Sequence, residues 1–126
     1  MPEIVKKINS FGDLYAWQEG HKLALFIYKA TKGFPDDEKF GITNQMRRAA
    51  ISITSNIAEG FSGRTRKDKA QFYAIALGST TELQSQILTA KDLQYVAENE
   101  ASALYAQSIT VHKLINGLIK SVNRIP

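Results

Sequence analysis

The chain has no cysteine in its 126 residues, which excludes disulfides, thiolate metal sites and a cysteine nucleophile, and is compatible with a reducing compartment. It also lacks long apolar runs. A run such as Leu23 to Tyr28, which none exceeds in length, falls far short of the roughly 20 residues a membrane span needs, and MPEIVKKINSFGDL carries two lysines without a signal-peptide core. A soluble, cytoplasmic protein with no membrane association is the expectation. Neither a phosphate loop, a dinucleotide fingerprint, a metalloprotease helix nor a Ser-His-Asp pattern can be found. Strand-like alternation is nowhere sustained.

What is present is ordinary globular composition, 44% apolar and 22% charged, in a length that suits one domain over residues 1–126. Four segments carry helical spacing, so an all-α, up-down-up-down antiparallel four-helix bundle is expected, with helices over about 13–32, 40–59, 66–93 and 99–122. In the first, Leu14, Trp17, His21, Ala24, Leu25 and Tyr28 form one stripe, and Gly33-Phe34-Pro35 supplies a left-handed cap and a stop. Leu23, Phe26, Ile27 and Ala30 form a second apolar stripe. A helix apolar on two sides is enclosed by its bundle or covered by another subunit, and the second stripe is read as an oligomer interface.

Met46, Ala49, Ala50, Ile53 and Ile57 face inward from the second helix, with Gly60 as its cap. Thr65 with Asp68 resembles a capping box at the start of the third. The series Phe72, Ala76, Ser79, Leu83, Gln86, Ala90, Leu93 then keeps four-three spacing, as does Leu104, Ser108, Val111, Ile115, Leu118, Val122 in the fourth. Gly78, inside the third helix, costs about 1 kcal/mol relative to alanine. Close approach of another helix, within the bundle or across an interface, would account for it.

Such a topology sorts the charges. One end collects Asp36, Asp37, Glu38, Asp92, Glu98 and Glu100 against Lys39 and Lys91. The other receives Lys6, Lys7, Arg64, Arg66, Lys67, Lys69, Lys120 and Arg124 against Glu3, Asp13, Glu59 and Asp68, eight cations against four acids, a difference equal in size to the formal net charge of +4. A cationic pole attracts polyanions, and free amides at a helix start beside guanidinium groups form a phosphate cradle. Against this, a cationic turn is commonly only a solvated helix start. Phe61 is the sole aromatic there, thin support for base stacking.

The candidates for chemistry are few. His21 and His112 lack the third ligand that a metal site needs, so neither a metal nor any other cofactor is expected. Arg48 and Glu82, roughly 16 and 22 Å from the central turn, are within reach of one another. With Gln45, Asn56, Glu59 and Gln86 they are read as a structural polar network that sets helix register. An enzymatic reading would need Arg48 and Glu82 in an open pocket.

FGDLYAWQEGHKLALFIYKATKGFP followed by GITNQMRRAAISITSNIAEGFSGRTRKDKAQFYAIALGSTTELQSQI closely resembles the four-helix-bundle proteins encoded within intervening sequences of bacterial large-subunit (23S) ribosomal RNA. The resemblance covers about residues 11–96. It implies a left-handed bundle in a closed homo-oligomer, with a pentameric barrel as the expected form, no established enzymatic activity and a largely undefined role. The chain is also similar to the accessory proteins of diversity-generating retroelements, which implies a basic surface for RNA or DNA and for a partner protein. Thr54 stands where the family commonly has proline, which puts a family-like kink in doubt. Two functions are expected to compete: a nucleic-acid-binding oligomer, or a protein-interaction scaffold with no nucleic-acid ligand.

Overall fold

The computed structural model describes residues 7–124, and among them the regular structure is entirely helical. A 3-10 turn at Phe11–Asp13 leads into α1 (Tyr15–Thr31), and a second at Asp36–Glu38 precedes α2 (Ile42–Phe61); α3 (Arg66–Asp92) and α4 (Glu98–Asn123) follow. Each helix packs against its neighbours in chain order, and α4 returns to α1, giving a four-sided bundle. No helix among the described residues is long and apolar enough to cross a membrane.

The register of contacts makes neighbours antiparallel. Thr31 of α1 meets Arg47 of α2, whereas Gly20, three turns earlier, lies against Ile53, Thr54 and Ile57. Along α2 and α3 the pairs are Ser52 with Ser79 and Gly60 with Tyr73. Gln107 of α4 donates to the Glu19 carbonyl and carboxylate of α1 at 2.9 and 3.1 Å. These pairings put the α1–α2 and α3–α4 connections at one end. There the Tyr95 hydroxyl donates to Glu38 at 2.8 Å, and the Tyr95 ring packs 5.4 Å from that of Phe34.

The core is built largely from the stripes expected for three helices, but in α3 Phe72 is half-buried beside the buried Tyr73 and Leu93 is 48% exposed, and in α4 Leu118 and Val122 are half-buried. Met46, Ala49, Ala50, Ile53 and Ile57 are buried, as are Ala76, Ser79, Leu83, Gln86 and Ala90, and Leu104, Ser108, Val111 and Ile115. Helix α1 is rotated from expectation. Its buried residues are Ala16, Gly20, Leu23, Ala24, Ile27 and Thr31, while Leu25 is 56% exposed. The small side chains at 16, 20 and 24 decide this: a Cβ on Gly20 would sit 3.3 Å from Thr54 and 3.4 Å from Ile53, so α1 and α2 approach closely along that line. Leu23 and Ile27 therefore belong to the chain's own core, both fully buried, and are not interface residues. Phe26, 48% exposed, and the half-buried Ala30 are what remain of the second stripe.

The glycines also differ from expectation. Neither Gly33 nor Gly60 is left-handed; the positive φ among the described residues is at Gln94, 64°, where the chain leaves α3. Gly60 lies inside α2, and a Cβ there would come within 2.4 Å of the Tyr73 ring. Its smallness admits the tyrosine. At Gly78 an added Cβ would meet nothing within 4 Å, so no neighbour inside the bundle explains that residue. Helix α2 runs unbroken through Thr54, whose hydroxyl bonds back to the Ile51 carbonyl at 3.2 Å.

The Tyr95–Glu38 bond needs the phenol protonated, and that bond, with burial and Asp37 adding to it, raises the Tyr95 pKa above its ordinary value. A raised folded value gives a contribution that is whole below the unfolded pKa of about 10 and lost as pH rises through the folded one. Tyr95→Phe should therefore melt below the wild type at neutral pH and converge with it in strong base. Parallel melts across pH check this, and a gap that persists unchanged in base would contradict it.

Candidate nucleic-acid interface

The α2–α3 turn lies at the end opposite Glu38 and Tyr95, a helix of 20 residues or about 30 Å away. Two devices shape it. The Thr65 hydroxyl accepts from the Asp68 N–H at 3.0 Å, so one half of the expected capping box forms. From the next turn the Lys69 ammonium donates to the carbonyls of Phe61, 2.7 Å, and Gly60, 3.4 Å, and lies 5.6 Å over the Phe61 ring. Lysine at a helix C-terminus satisfies carbonyls that the ladder leaves open. Lys69 is thus held within the protein, and sequence spacing could not reveal it, because the contact spans eight residues across a turn.

Arg64, Arg66 and Lys67 are exposed. Arg66 and Lys67 occupy the first turn of α3, where the helix dipole opposes a cation by a few tenths of a kcal/mol each. An anionic ligand would offset that opposition. Lys7, Lys120 and Arg124 are exposed as well; antiparallel packing brings the start of α1 and the end of α4 to this same end. Lys6 lies outside the described residues. The acids Asp36, Asp37, Glu98 and Glu100 fall at the far end, together with Lys39 and Lys91, whereas Asp13, Glu59 and Asp68 share the end of the turn cations.

The polar network expected around Arg48 does not assemble. Arg48, Gln45 and Glu59 are exposed, and no hydrogen bond or ion pair joins Arg48 to Glu82. Glu82 instead accepts from Gln86 of its own helix at 3.1 Å. Asn56 donates to the Ser52 carbonyl at 2.8 Å and hydroxyl at 3.1 Å, and the Ser52 and Ser79 hydroxyls share a 2.8 Å bond across the α2–α3 seam. The arginine that does link helices is Arg47. Its Nε donates to the Thr31 hydroxyl at 2.8 Å, an Nη reaches the Tyr28 carbonyl at 3.4 Å, and its guanidinium lies 4.8 Å over the Tyr28 ring. One residue is a 100° turn of a helix, which carries Arg47 to α1 and Arg48 to the outside.

His21 stacks on Trp17, with centroids 4.7 Å apart and planes 10° from parallel. His112 faces the Asn116 amide at 3.3 Å. Among the described residues no three His, Cys, Asp or Glu side chains converge as metal ligands would. The cleft that holds Arg48 is lined by Tyr28, Asn44, Arg47, Ile51 and Ser52 besides, and Glu82 is not part of it.

Comparison with known proteins agrees with this architecture. A structure described as a protein of unknown function from the S23 ribosomal protein family of Bacteroides thetaiotaomicron superposes with a TM-score of 0.77 at 23% identity, over 83% of this chain and 95% of that one. At that identity the likeness speaks for the fold. No curated protein matches significantly. The family model for the 23S rRNA-intervening sequence protein matches residues 12–117, and the chain belongs to that family.

Proposed function

We propose that this protein is a non-enzymatic, self-associating bundle that binds RNA, or another nucleic acid, through the end bearing Arg64, Arg66 and Lys67, with Lys7, Lys120 and Arg124 extending the footprint. The observation that carries the reading is the exposure of the three turn cations at the start of α3, remote from the acidic loops.

Self-association into a closed homo-oligomer is the second half of the proposal. Supporting it are apolar grooves on two sides: one of about 260 Å³ holding Phe26, Ala103 and Leu104 between α1 and α4, and one of about 370 Å³ holding Leu88, Tyr105 and Ile109 between α3 and α4. Copies that present their cationic ends to one ligand gain avidity without new contacts. The exposed Phe26, Leu88 and Ile109 equally support the competing reading, a scaffold for a partner protein without nucleic acid.

Anisotropy titration of a labelled RNA distinguishes them. The wild type is expected to bind, and the triple variant Arg64→Gln/Arg66→Gln/Lys67→Gln to bind about tenfold or more weakly while melting like the wild type. Equal affinities would overturn the reading, as would sedimentation of the wild type as a full assembly that ignores RNA.

A further inference from the structure

We infer that the cleft between α1 and α2 is a nucleotide subsite, with Arg48 bonding a phosphate and the Tyr28–Arg47 pair offering a flat surface to the base. The inference rests on the nucleic-acid reading above and adds a second place of contact, on the side of the bundle rather than its end.

The cleft measures about 540 Å³, within the range of pockets that seat small ligands. Two of its six lining residues are arginines and none is acidic. Arg47 is already oriented: its two bonds to Thr31 and to the Tyr28 carbonyl hold the guanidinium over the Tyr28 ring, and both groups are flat. Unpaired bases stack on tyrosine rings and on guanidinium planes alike. Tyr28 is 38% exposed and lines the open cleft, so the pair can be reached from solvent.

Arg48, next in sequence, has no hydrogen-bonding or ionic partner among the described residues and is exposed. An arginine in that condition has its donors free for a phosphate, which it takes in a bidentate fork. Asn44, one turn before Arg48, adds an amide that can donate or accept, and Ile51, 44% exposed, gives the wall an apolar edge against which a ring lies without losing hydrogen bonds. The absence of carboxylates is what favours a polyanion over a basic peptide. Stacking also requires an unpaired base, so the subsite selects single strands, which neither the turn cations nor the dipole of α3 can do.

The test compares single-stranded and duplex RNA of equal length, each labelled, on the full chain. Arg48→Gln is the cleanest variant because Arg48 supports nothing in the fold; Tyr28→Ala is the second, with its melt measured beside it. Single-strand affinity should fall about fivefold or more in both, since losing one stacked base or one charge-assisted contact is worth at least that, and duplex affinity should change little. Ultraviolet cross-linking of the wild type to oligouridylate should mark Tyr28, in the tryptic peptide Leu23–Lys29. If the turn variant loses RNA while Arg48→Gln and Tyr28→Ala keep full single-strand affinity, the subsite is wrong and the cationic end stands. If Arg48→Gln lowers the sedimenting mass and leaves RNA affinity alone, the cleft is a contact between copies and the inference falls. Failure of the wild type to bind any RNA removes both.

Discussion

Leu23→Ala is expected to cost about 2–5 kcal/mol of unfolding free energy, the range for truncating a fully buried leucine, because its side chain has no exposed surface within one chain and its loss leaves a cavity between helices. Set against a total stability of about 5–15 kcal/mol, that is a severe loss. Phe26→Ala, three residues on and 48% exposed, should cost less than about 1 kcal/mol in the same measurement. Its effect, on the proposal of self-association, is on sedimenting mass. The pair separates the two roles that α1 combines. Denaturant unfolding at several protein concentrations is the check: the Leu23 loss should be present at every concentration and the m value unchanged. A near-neutral Leu23→Ala whose main effect is dissociation would return Leu23 to an interface.

Gly60→Ala should destabilise by about 1–3 kcal/mol, although alanine in a helix interior ordinarily gains about 1 kcal/mol over glycine. The sign reverses because the new methyl would lie 2.4 Å from Tyr73 Cε1 and 2.7 Å from Cδ1, and that ring, 3% exposed, is hemmed in by the core. Gly78→Ala is the internal control. With nothing within 4 Å of its Cβ position, the single chain should gain up to about 1 kcal/mol. Pairing Gly60→Ala with Tyr73→Leu should cost less than the sum of the single changes, since the second relieves the first. Additive losses would show that the clash is not the cause. An assembly weakened by Gly78→Ala would instead point to a second copy approaching that glycine.

These two cases also mark how far the sequence could be read. Helices two and four declared their inner faces through large apolar residues at four-three spacing, and Ile53 and Ile115 are fully buried as that spacing requires; in helix three Leu83 is fully buried but Leu93, of the same series, is 48% exposed. Helix one did not, because its close approach to α2 is made at Gly20, with the small Ala16 and Ala24 buried one turn either side, residues that a search for large side chains passes over. Gly60 was legible as special but not as a hole for a tyrosine 13 positions away. Arg47 and Arg48 are adjacent letters pointing 100° apart, and no spacing rule says which meets Thr31. The turn cations were visible as a cluster; the binding of Lys69 to Phe61 was not, nor was the cleft beside Tyr28, which exists only once two helices are packed.

The same limits leave function resting on where the cations stand. The most direct measurement is the slope of log affinity for single-stranded RNA against log salt, for the wild type and for Arg64→Gln/Arg66→Gln/Lys67→Gln. Each phosphate contact on a single strand contributes about 0.7 to that slope, so removing three should make it shallower by about 2. Identical slopes for the two proteins, or an affinity that salt does not weaken, would contradict the assignment of the ligand to this end.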